Sequence, residues 1–374
     1  MLRAKSHQGR WPESTSGWYV THDFGFVFAG AERVSQVLAQ RVLPGAPVGA
    51  IAGSDEVLEQ MAGNAPYVRF LPRALVNERT FRHLTPLYPG VIRRLSPLEG
   101  NVLSSSYAFA HHIPCTGKRI IYCHTPLRQV WSGSEHYAAE AAALERLAIR
   151  HFGPQLREAD LLAARKASLY VAASEQVRKR IYRYYSRDSE VLHPPVDTTG
   201  TFAFDRNRTT EDYFLWVGRI IEPYKRLQLT IEAFRGSSSR LLVVGDGRDR
   251  ARLEAVAPEN VTFLGWRKGK ELADLYGRAR ALVFPSEDDF GLVPVEAMAC
   301  GTPSVAFRRG GATETVVEDV TGIFFDEPTV ASMRKALDEV DRRNWDRPGI
   351  AKQAERYSTE LFARTFRDLV QSVE

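Results

Sequence analysis

Glu287, Asp288 and Asp289 stand side by side in the stretch SEDDFGLVPVEAMACG, residues 286–301, and Glu296 follows eight residues after Asp288. The apolar run ALVFPS, residues 281–286, leads into them. Carboxylates accept hydrogen bonds from neighbouring hydroxyls. Acids placed before and inside one helix therefore suit a sugar ring or a ribose, held from two sides. Gly291 carries no Cβ and lets backbone come close to a ligand. With a helix starting near Pro294, the N–H groups of Phe290, Gly291 and Leu292 suit a phosphate or sugar oxygen. The helix dipole alone favours Asp288 and Asp289 at such a start. It accounts for neither Glu296 nor Gly291.

A second constellation lies in WVGRIIEPYKRLQLTIEAF, residues 216–234, where a strand ends at Gly218 and Arg219, Lys225 and Arg226 precede a helix. Cations at that place suit a phosphate or diphosphate: Arg clamps two oxygens, while Lys supplies a point charge. The plainer reading is surface cations on a loop. In VVGDGRDRARLE, residues 243–254, Gly245, Asp246 and Gly247 form another strand-to-helix turn. It suits close approach to a nucleotide, or a tight turn with Asp246 as helix cap. Arg250 fills the third position of a G-x-G-x-x-G pattern, which argues against a dinucleotide fold. His124 ends the run RIIYCHT, residues 119–125. A lone histidine at a strand end is more often structural than chemical.

These groups need strands and helices to hold them. Short apolar runs alternate with helix-period segments, which predicts α/β architecture with parallel sheets. Strands are expected over 17–24, 46–53, 101–106, 119–125 and 168–174, with a helix over 30–42. Residues 191–212, rich in Pro, Thr, Asp and Asn, read as a linker. Beyond it, strands are expected over 213–219, 240–247, 261–266, 281–286, 302–307 and 322–326. The helices between and after them fall at 225–235, 248–256, 270–280, 294–300, 312–318 and 329–342. Two domains follow, 1–197 and 198–357, with a last helix over 358–374 that crosses back to the first. Two Rossmann-like α/β units facing across a cleft would bind ligands at the carboxyl ends of their strands.

The chain has 374 residues, beyond the size of about 250–300 at which a single core stops growing. Its 44% hydrophobic and 25% charged content suit a globular protein. No apolar run approaches the roughly 20 residues of a membrane span. The first 17 residues lack the apolar centre of a signal peptide and read as a loose arm or a mis-assigned start. Cys115, Cys123 and Cys300 make no metal-spaced pair. Their odd number and the lack of an export signal point to a reducing cytoplasm. Residues 1–197 carry 24 Lys+Arg against 17 Asp+Glu, and residues 198–374 carry 26 against 28. The basic first half suits an anionic partner, but it lacks the dense patch of a nucleic-acid binder. Residues 69–95 mix six arginines and His83 with Phe70, Leu71, Leu75, Phe81, Leu84, Leu87, Tyr88, Ile92 and Leu95. Such a stretch lies on an anionic membrane or forms an ordinary layer with a solvated basic face.

DDFGLVPVEAMACGTPSVA closely resembles the E-x7-E signature of GT4-type retaining glycosyltransferases, which have the GT-B fold. VGRIIEPYKR, VVGDG, VTFLGW and GGATETVVEDVTGIFFD resemble further blocks of that family in the same order. AGAERV, SSSYAFAHHI, YCHTPLRQVW, AASEQVRKRIYRYY and VLHPPVD are similar to blocks of bacterial mannosyltransferases of polysaccharide assembly. The resemblance covers roughly residues 18–370. It implies that Arg219 and Lys225 hold the donor diphosphate, that Glu296 binds the nucleotide ribose, and that Asp288 contacts the donor sugar. Asp288 departs from the family's first Glu, and Glu287 is the other acid able to take that place. Phe290, Gly291 and Leu292 lie where backbone amides meet sugar and phosphate. Gly245 belongs to the donor-side turn. Gly30 matches the second glycine of the N-terminal loop, where Ala29 replaces the first. His124 matches a histidine near the reacting sugar.

The implied reaction moves a hexose, first mannose from GDP-mannose and next a UDP-sugar, to a glycan or lipid-linked acceptor with retention of configuration. No cofactor is implied. No D-x-D triplet occurs in the sequence, so the usual ligands of a metal-dependent site are missing. The departing diphosphate would be stabilised by Arg219, Lys225 and a helix N-terminus. Its oxygen would take the acceptor's proton, and His124 would orient donor or acceptor. Rivals are a nucleotide-sugar epimerase, a phosphorylase (whose pyridoxal-phosphate lysine motif is missing) and a non-catalytic sugar-nucleotide-binding subunit.

Overall fold

Trp18–Gly25 is buried along its whole length, as is Val48–Gly53. Strands covered on both faces are the mark of a parallel sheet between helical layers, and the computed structural model has two such sheets. It describes residues 7–8, 11–78, 80–81, 83–131 and 143–373. The chain forms two compact units, Met1–His193 with Phe362–Glu374, and Pro194–Leu361.

The first unit holds β1 (His7–Gln8), β2 (Trp18–Gly25), β3 (Val48–Gly53), β4 (Tyr67–Arg69), β5 (Asn101–Ser106), β6 (Arg119–Cys123), β7 (Leu169–Ala172) and β8 (Glu190–Val191). Their order is β1-β4-β3-β2-β5-β6-β7-β8, and every pair is parallel. The direction of winding reverses between β2 and β5. Ser174 caps the helix Glu175–Tyr185 by accepting from Val177 N at 3.1 Å, and Ser186 ends it in the left-handed region with φ 51°. The periodic segment 30–42 is not one α-helix: Gly30–Val37 is α, and Leu38–Val42 continues as a wider π turn. The short strands β1, β4 and β8 have no sequence signature. Two to three residues are too few to display alternation.

In the last helix, Thr359–Val373, the buried residues are Phe362, Ala363, Phe366 and Val370, a single face by helical spacing. That face packs into the first unit's core with Trp18, Val20, Leu103 and Tyr122. The rings of Phe362 and Phe366 lie 5.7 and 5.9 Å from that of Tyr122. Phe366→Ala is expected to destabilise this unit by about 3–5 kcal/mol, read as a lower denaturant midpoint. An unchanged midpoint would show the helix to be dispensable.

Residues 69–95 are mostly irregular, with a 3-10 turn at Thr85–Leu87 and a short helix at Tyr88–Ile92; Arg79 and Arg82 lie outside the described residues. Val76, Tyr88 and Ile92 are buried, and Phe70, Leu71, Phe81, Leu84 and Leu95 pack against the same core. Leu75 and Leu87 are exposed. Most of the apolar side chains of this stretch therefore turn inward. No described helix is long and apolar enough to cross a membrane.

The second unit holds β9 (Phe214–Val217), β10 (Leu241–Val244), β11 (Val261–Gly265), β12 (Ala281–Phe284), β13 (Ser304–Phe307) and β14 (Gly322–Phe325). The order β11-β10-β9-β12-β13-β14, all parallel, is the doubly wound 3-2-1-4-5-6 arrangement. Its winding reverses between β9 and β12, where the strands diverge and leave a crevice at their carboxyl ends. The expected helix over 312–318 is only Ala312–Thr315. Val316 is extended, and the Thr321 hydroxyl accepts from Val317 N at 2.8 Å in place of a helical carbonyl.

Candidate active site

β9 and β12 are neighbours in register, with Leu282 opposite Leu215. The chain leaves β9 into the loop bearing Arg219 and Lys225, and leaves β12 into the loop bearing Glu287, Asp288 and Asp289. Both loops thus stand on the reversal point of the second unit's sheet. They touch: Lys225 Nζ donates to Asp288 Oδ1 at 2.8 Å and to Oδ2 at 2.6 Å, with both side chains over four-fifths buried. The pair joins residues 63 apart in sequence. Arg226, grouped in the sequence with the phosphate-facing cations, does something else. It adopts φ +49°, donates from Nη1 to Pro285 O at 2.9 Å and stacks over Phe307 at 4.5 Å, tying its loop to the end of β12. Arg219 lies exposed at the start of the loop.

Gly245 and Gly247 have a structural cause. Gly218 N donates to Val244 O at 3.0 Å and Ile220 N to Asp246 O at 2.9 Å. This brings the two strand-end loops so close that a Cβ on Gly245 would overlap the Gly218 carbonyl, and one on Gly247 the Ile220 carbonyl. Gly245 also adopts φ +138°, which side-chain-bearing residues rarely reach. Asp246 does not cap the helix. Its Oδ1 accepts from Gly247 N at 2.7 Å, and the helix starts only at Arg250.

The acid loop ends at Gly291, whose φ of +87° turns the chain into the helix Leu292–Ala299, two residues earlier than Pro294 suggests. The side chain of Phe290 is buried and meets Tyr357 edge-on at 5.7 Å, so only its backbone remains for a ligand. Glu296 is 3% exposed, and its Oε2 accepts from the buried Tyr276 hydroxyl at 2.9 Å. A glycine pair holds the loop from the far side. Gly311 N donates to Asp288 O at 2.8 Å, and a Cβ on Gly311 would overlap the backbone of Phe290. Neither Tyr276 nor the part played by Gly310 and Gly311 is visible from spacing. Tyr276 lies 20 residues from its partner on another helix. The one available signal was a Gly-Gly pair between strand and helix.

Gly30 and His124 belong to the first unit. Gly30 opens the helix Gly30–Val37 just beyond β2, at the reversal point of that sheet. There Ala29 N donates to Glu32 Oε2 at 3.0 Å, and the Asp23 carboxylate accepts the backbone N–H groups of Tyr107, Ala108, Phe109 and Ala110. His124 follows β6; its N donates to Ser106 O at 2.9 Å, and its Nε2 lies 2.8 Å from Ser105 Oγ.

Among the described residues, His111, His112 and Asp160 bring potential metal ligands within 4.8 Å of one another. Both Asp160 oxygens are already engaged. His111 and His112 Nε2 lie 2.9 and 3.1 Å from Oδ1, while Trp131 Nε1 and Tyr185 OH donate to Oδ2 at 2.6 and 2.7 Å. A buried carboxylate with four partners is a satisfied core group. Burial pushes its pKa up, but the histidine hydrogen bonds outweigh this and hold it well below the usual range. Burial, with the neighbouring His111, holds His112 below its ordinary value. Both folded pKa values lie beneath the unfolded ones. Their stabilisation is present at neutral pH and is lost as pH falls, first through the histidine range near about 6.5 and then below about 4. In Asp160→Asn the acid branch of Tm against pH is expected to flatten below about pH 4. An acid branch as steep as the wild type's would remove Asp160 from the account.

Residues 211–340 match the family described as Glycosyl transferases group 1. The GDP-mannose-dependent alpha-mannosyltransferase of Mycobacterium tuberculosis is 38% identical over 109 residues, 29% of this chain and 28% of that protein. A D-inositol 3-phosphate glycosyltransferase of Rhodococcus opacus is 30% identical over 217 residues, 50% of this chain and 48% of that one. The chain thus spans less than half the length of the curated relatives it matches. Anabaena HepE, solved with UDP-glucose, superposes with a TM-score of 0.68 at 18% identity, covering 95% of this chain and 99% of that one. Sucrose-phosphate synthase from Thermosynechococcus elongatus gives 0.68 at 16%, covering 95% and 99%.

Proposed function

We propose, for a chain that has the GT-B fold and carries a group 1 glycosyltransferase domain, that it is a retaining hexosyltransferase working without a metal ion. The observation that carries this reading is the meeting of Lys225 with Asp288 at the sheet's reversal point, on loops that also bear Arg219 and lead to the helix N-terminus at Gly291. A nucleoside diphosphate leaves with growing negative charge. Arg219, Lys225 and the N–H groups at the start of Leu292–Ala299 supply positive charge and donors for it. Asp288 and Glu296 bind hydroxyls of the sugar and the ribose. Engagement of Asp288 in the donor complex means that it shares Lys225 with the diphosphate. The departing phosphate oxygen receives the acceptor's proton, and His124 orients a reacting sugar.

GDP-mannose is the first donor to test, because the Mycobacterium tuberculosis relative is a GDP-mannose-dependent enzyme. UDP-sugars come next, since HepE was solved with UDP-glucose. The acceptor is a glycan or lipid-linked saccharide. Contact with an anionic membrane would run through the basic residues of 69–95 together with the exposed Leu75 and Leu87. The purified protein is expected to release nucleoside diphosphate from one of these donors in the presence of acceptor, at an equal rate with EDTA or magnesium. Dependence of turnover on magnesium would overturn the metal-free mechanism. Turnover of donor alone to its epimer would overturn transfer.

A further inference from the structure

Four buried side chains behind His124 have no part in the reading above. Ser105, His22 and Ser35 are 0% exposed and Glu32 is 6% exposed. His124 Nε2 lies 2.8 Å from Ser105 Oγ. His22 Nδ1 lies 3.3 Å from the same Ser105 Oγ and 2.8 Å from Ser35 Oγ, and His22 Nε2 lies 3.3 Å from Glu32 Oε1. The other oxygen of Glu32 is held by Ala29 N at 3.0 Å. A line of polar contacts therefore runs from the first turn of Gly30–Val37 through β2 and β5 to the residue after β6.

Hydrogen accounting decides which of these contacts are hydrogen bonds. A hydroxyl has one hydrogen, and a neutral imidazole has one accepting nitrogen. With Nε2 of His22 donating to Glu32, Nδ1 accepts one hydrogen, and Ser35 is nearer than Ser105 by the distances above. If His22 is instead doubly protonated, Nδ1 donates to Ser35, whose own hydrogen goes to Ala31 O at 3.1 Å. In both cases Nδ1 takes nothing from Ser105, and the Ser105 hydrogen is left for His124 Nε2. We propose that Ser105, whose hydrogen His22 does not claim because Ser35 and Glu32 satisfy that ring, is a positioning residue that fixes His124 as its Nδ1–H tautomer. His124 then meets a sugar oxygen as a hydrogen-bond donor and does not remove a proton. This role rests on the reading that His124 orients a reacting sugar; the tautomer does not.

The test has two arms. In the first, protein labelled with 15N-histidine is observed by NMR above the histidine titration range, with His124→Gln assigning the signals. His124 Nε2 is expected to be unprotonated, and Ser105→Ala is expected to give mixed tautomers. A proton on Nε2 in the wild type, or a tautomer indifferent to Ser105→Ala, overturns the proposal. The wild-type measurement needs no substitution at 105. In the second arm, Ser105→Ala is expected to lower kcat about tenfold with donor KM within about twofold, the loss of one hydrogen bond. Ser105→Thr keeps the hydroxyl and is expected to restore kcat. Equal losses in both variants would mean that Ser105 only fills space. A wild type that transfers from no nucleotide sugar would sink the functional reading, while the NMR arm would still decide the tautomer.

Discussion

Lys225→Ala is expected to lower the proposed transfer by roughly a hundredfold to a thousandfold in kcat, the scale of removing one preorganised group aimed at developing charge. The Lys225–Asp288 pair is over four-fifths buried, and removing one partner of a buried pair costs up to about 3–5 kcal/mol. A thermal melt beside a rate separates this loss of stability from the loss of transfer, and Lys225→Ala is expected to be folded at the assay temperature. Arg219→Ala is expected to act in the same direction. Lys225→Arg should not rescue fully, because a longer, planar fork would pair with both oxygens of Asp288 and hold its charge away from the diphosphate, where a compact ammonium can turn its three donors to both. Asp288→Asn removes the partner and keeps the shape, so it distinguishes two uses of the acid. If Asp288 only holds Lys225 in place, donor KM and kcat change as in Lys225→Ala. If Asp288 also binds the sugar, Asp288→Asn discriminates among donors that differ in the hydroxyl it meets. A normal rate in Lys225→Ala would end the diphosphate assignment.

Gly311→Ala is expected to lower both stability and turnover. Its Cβ would meet the Phe290 backbone, which has no flexible end to swing aside. Either the glycine turn or the acid loop must shift. Overpacking of this kind destabilises by about 1–3 kcal/mol. Because Gly311 N also holds Asp288 O, the shift moves Asp288 away from Lys225. Gly90→Ala is the control. No heavy atom lies within 4 Å of its added Cβ, and it stands within the helix Tyr88–Ile92. There alanine is neutral or stabilising by about 0.4–1 kcal/mol. Denaturant midpoints and kcat for the two variants decide the matter. If Gly311→Ala behaved like Gly90→Ala, the acid loop would not depend on the glycine pair.

The acid stretch, the cation loop and their strand-to-helix settings were legible because each is a local pattern. ALVFPS reads as a strand and Glu296 as a helical residue from neighbours within one or two turns. What those groups touch was less legible. Gly245 looked equally like a nucleotide-facing glycine and a tight turn; the closeness of the Gly218 carbonyl accounts for it without a ligand. Arg226 looked like a third phosphate cation, yet its left-handed backbone sends it to Pro285. The stretch 69–95 read as a basic amphipathic segment because its apolar residues recur. Their burial depends on the core they meet, which no periodicity names.

The sequence by itself determined the α/β alternation and nominated the residues of the candidate site by type. Each of these follows from burial of an element's own faces or from the chemistry of a side chain, and both are written within a few residues. Only the tertiary structure decided that Lys225 meets Asp288, that Tyr276 holds Glu296, that Gly311 braces the acid loop, and that Ser105 joins His124 to His22. Those contacts follow from strand order. A crossover between parallel strands places distant residues side by side wherever the winding reverses, and the hydrophobic pattern of each strand is the same whichever neighbour it takes.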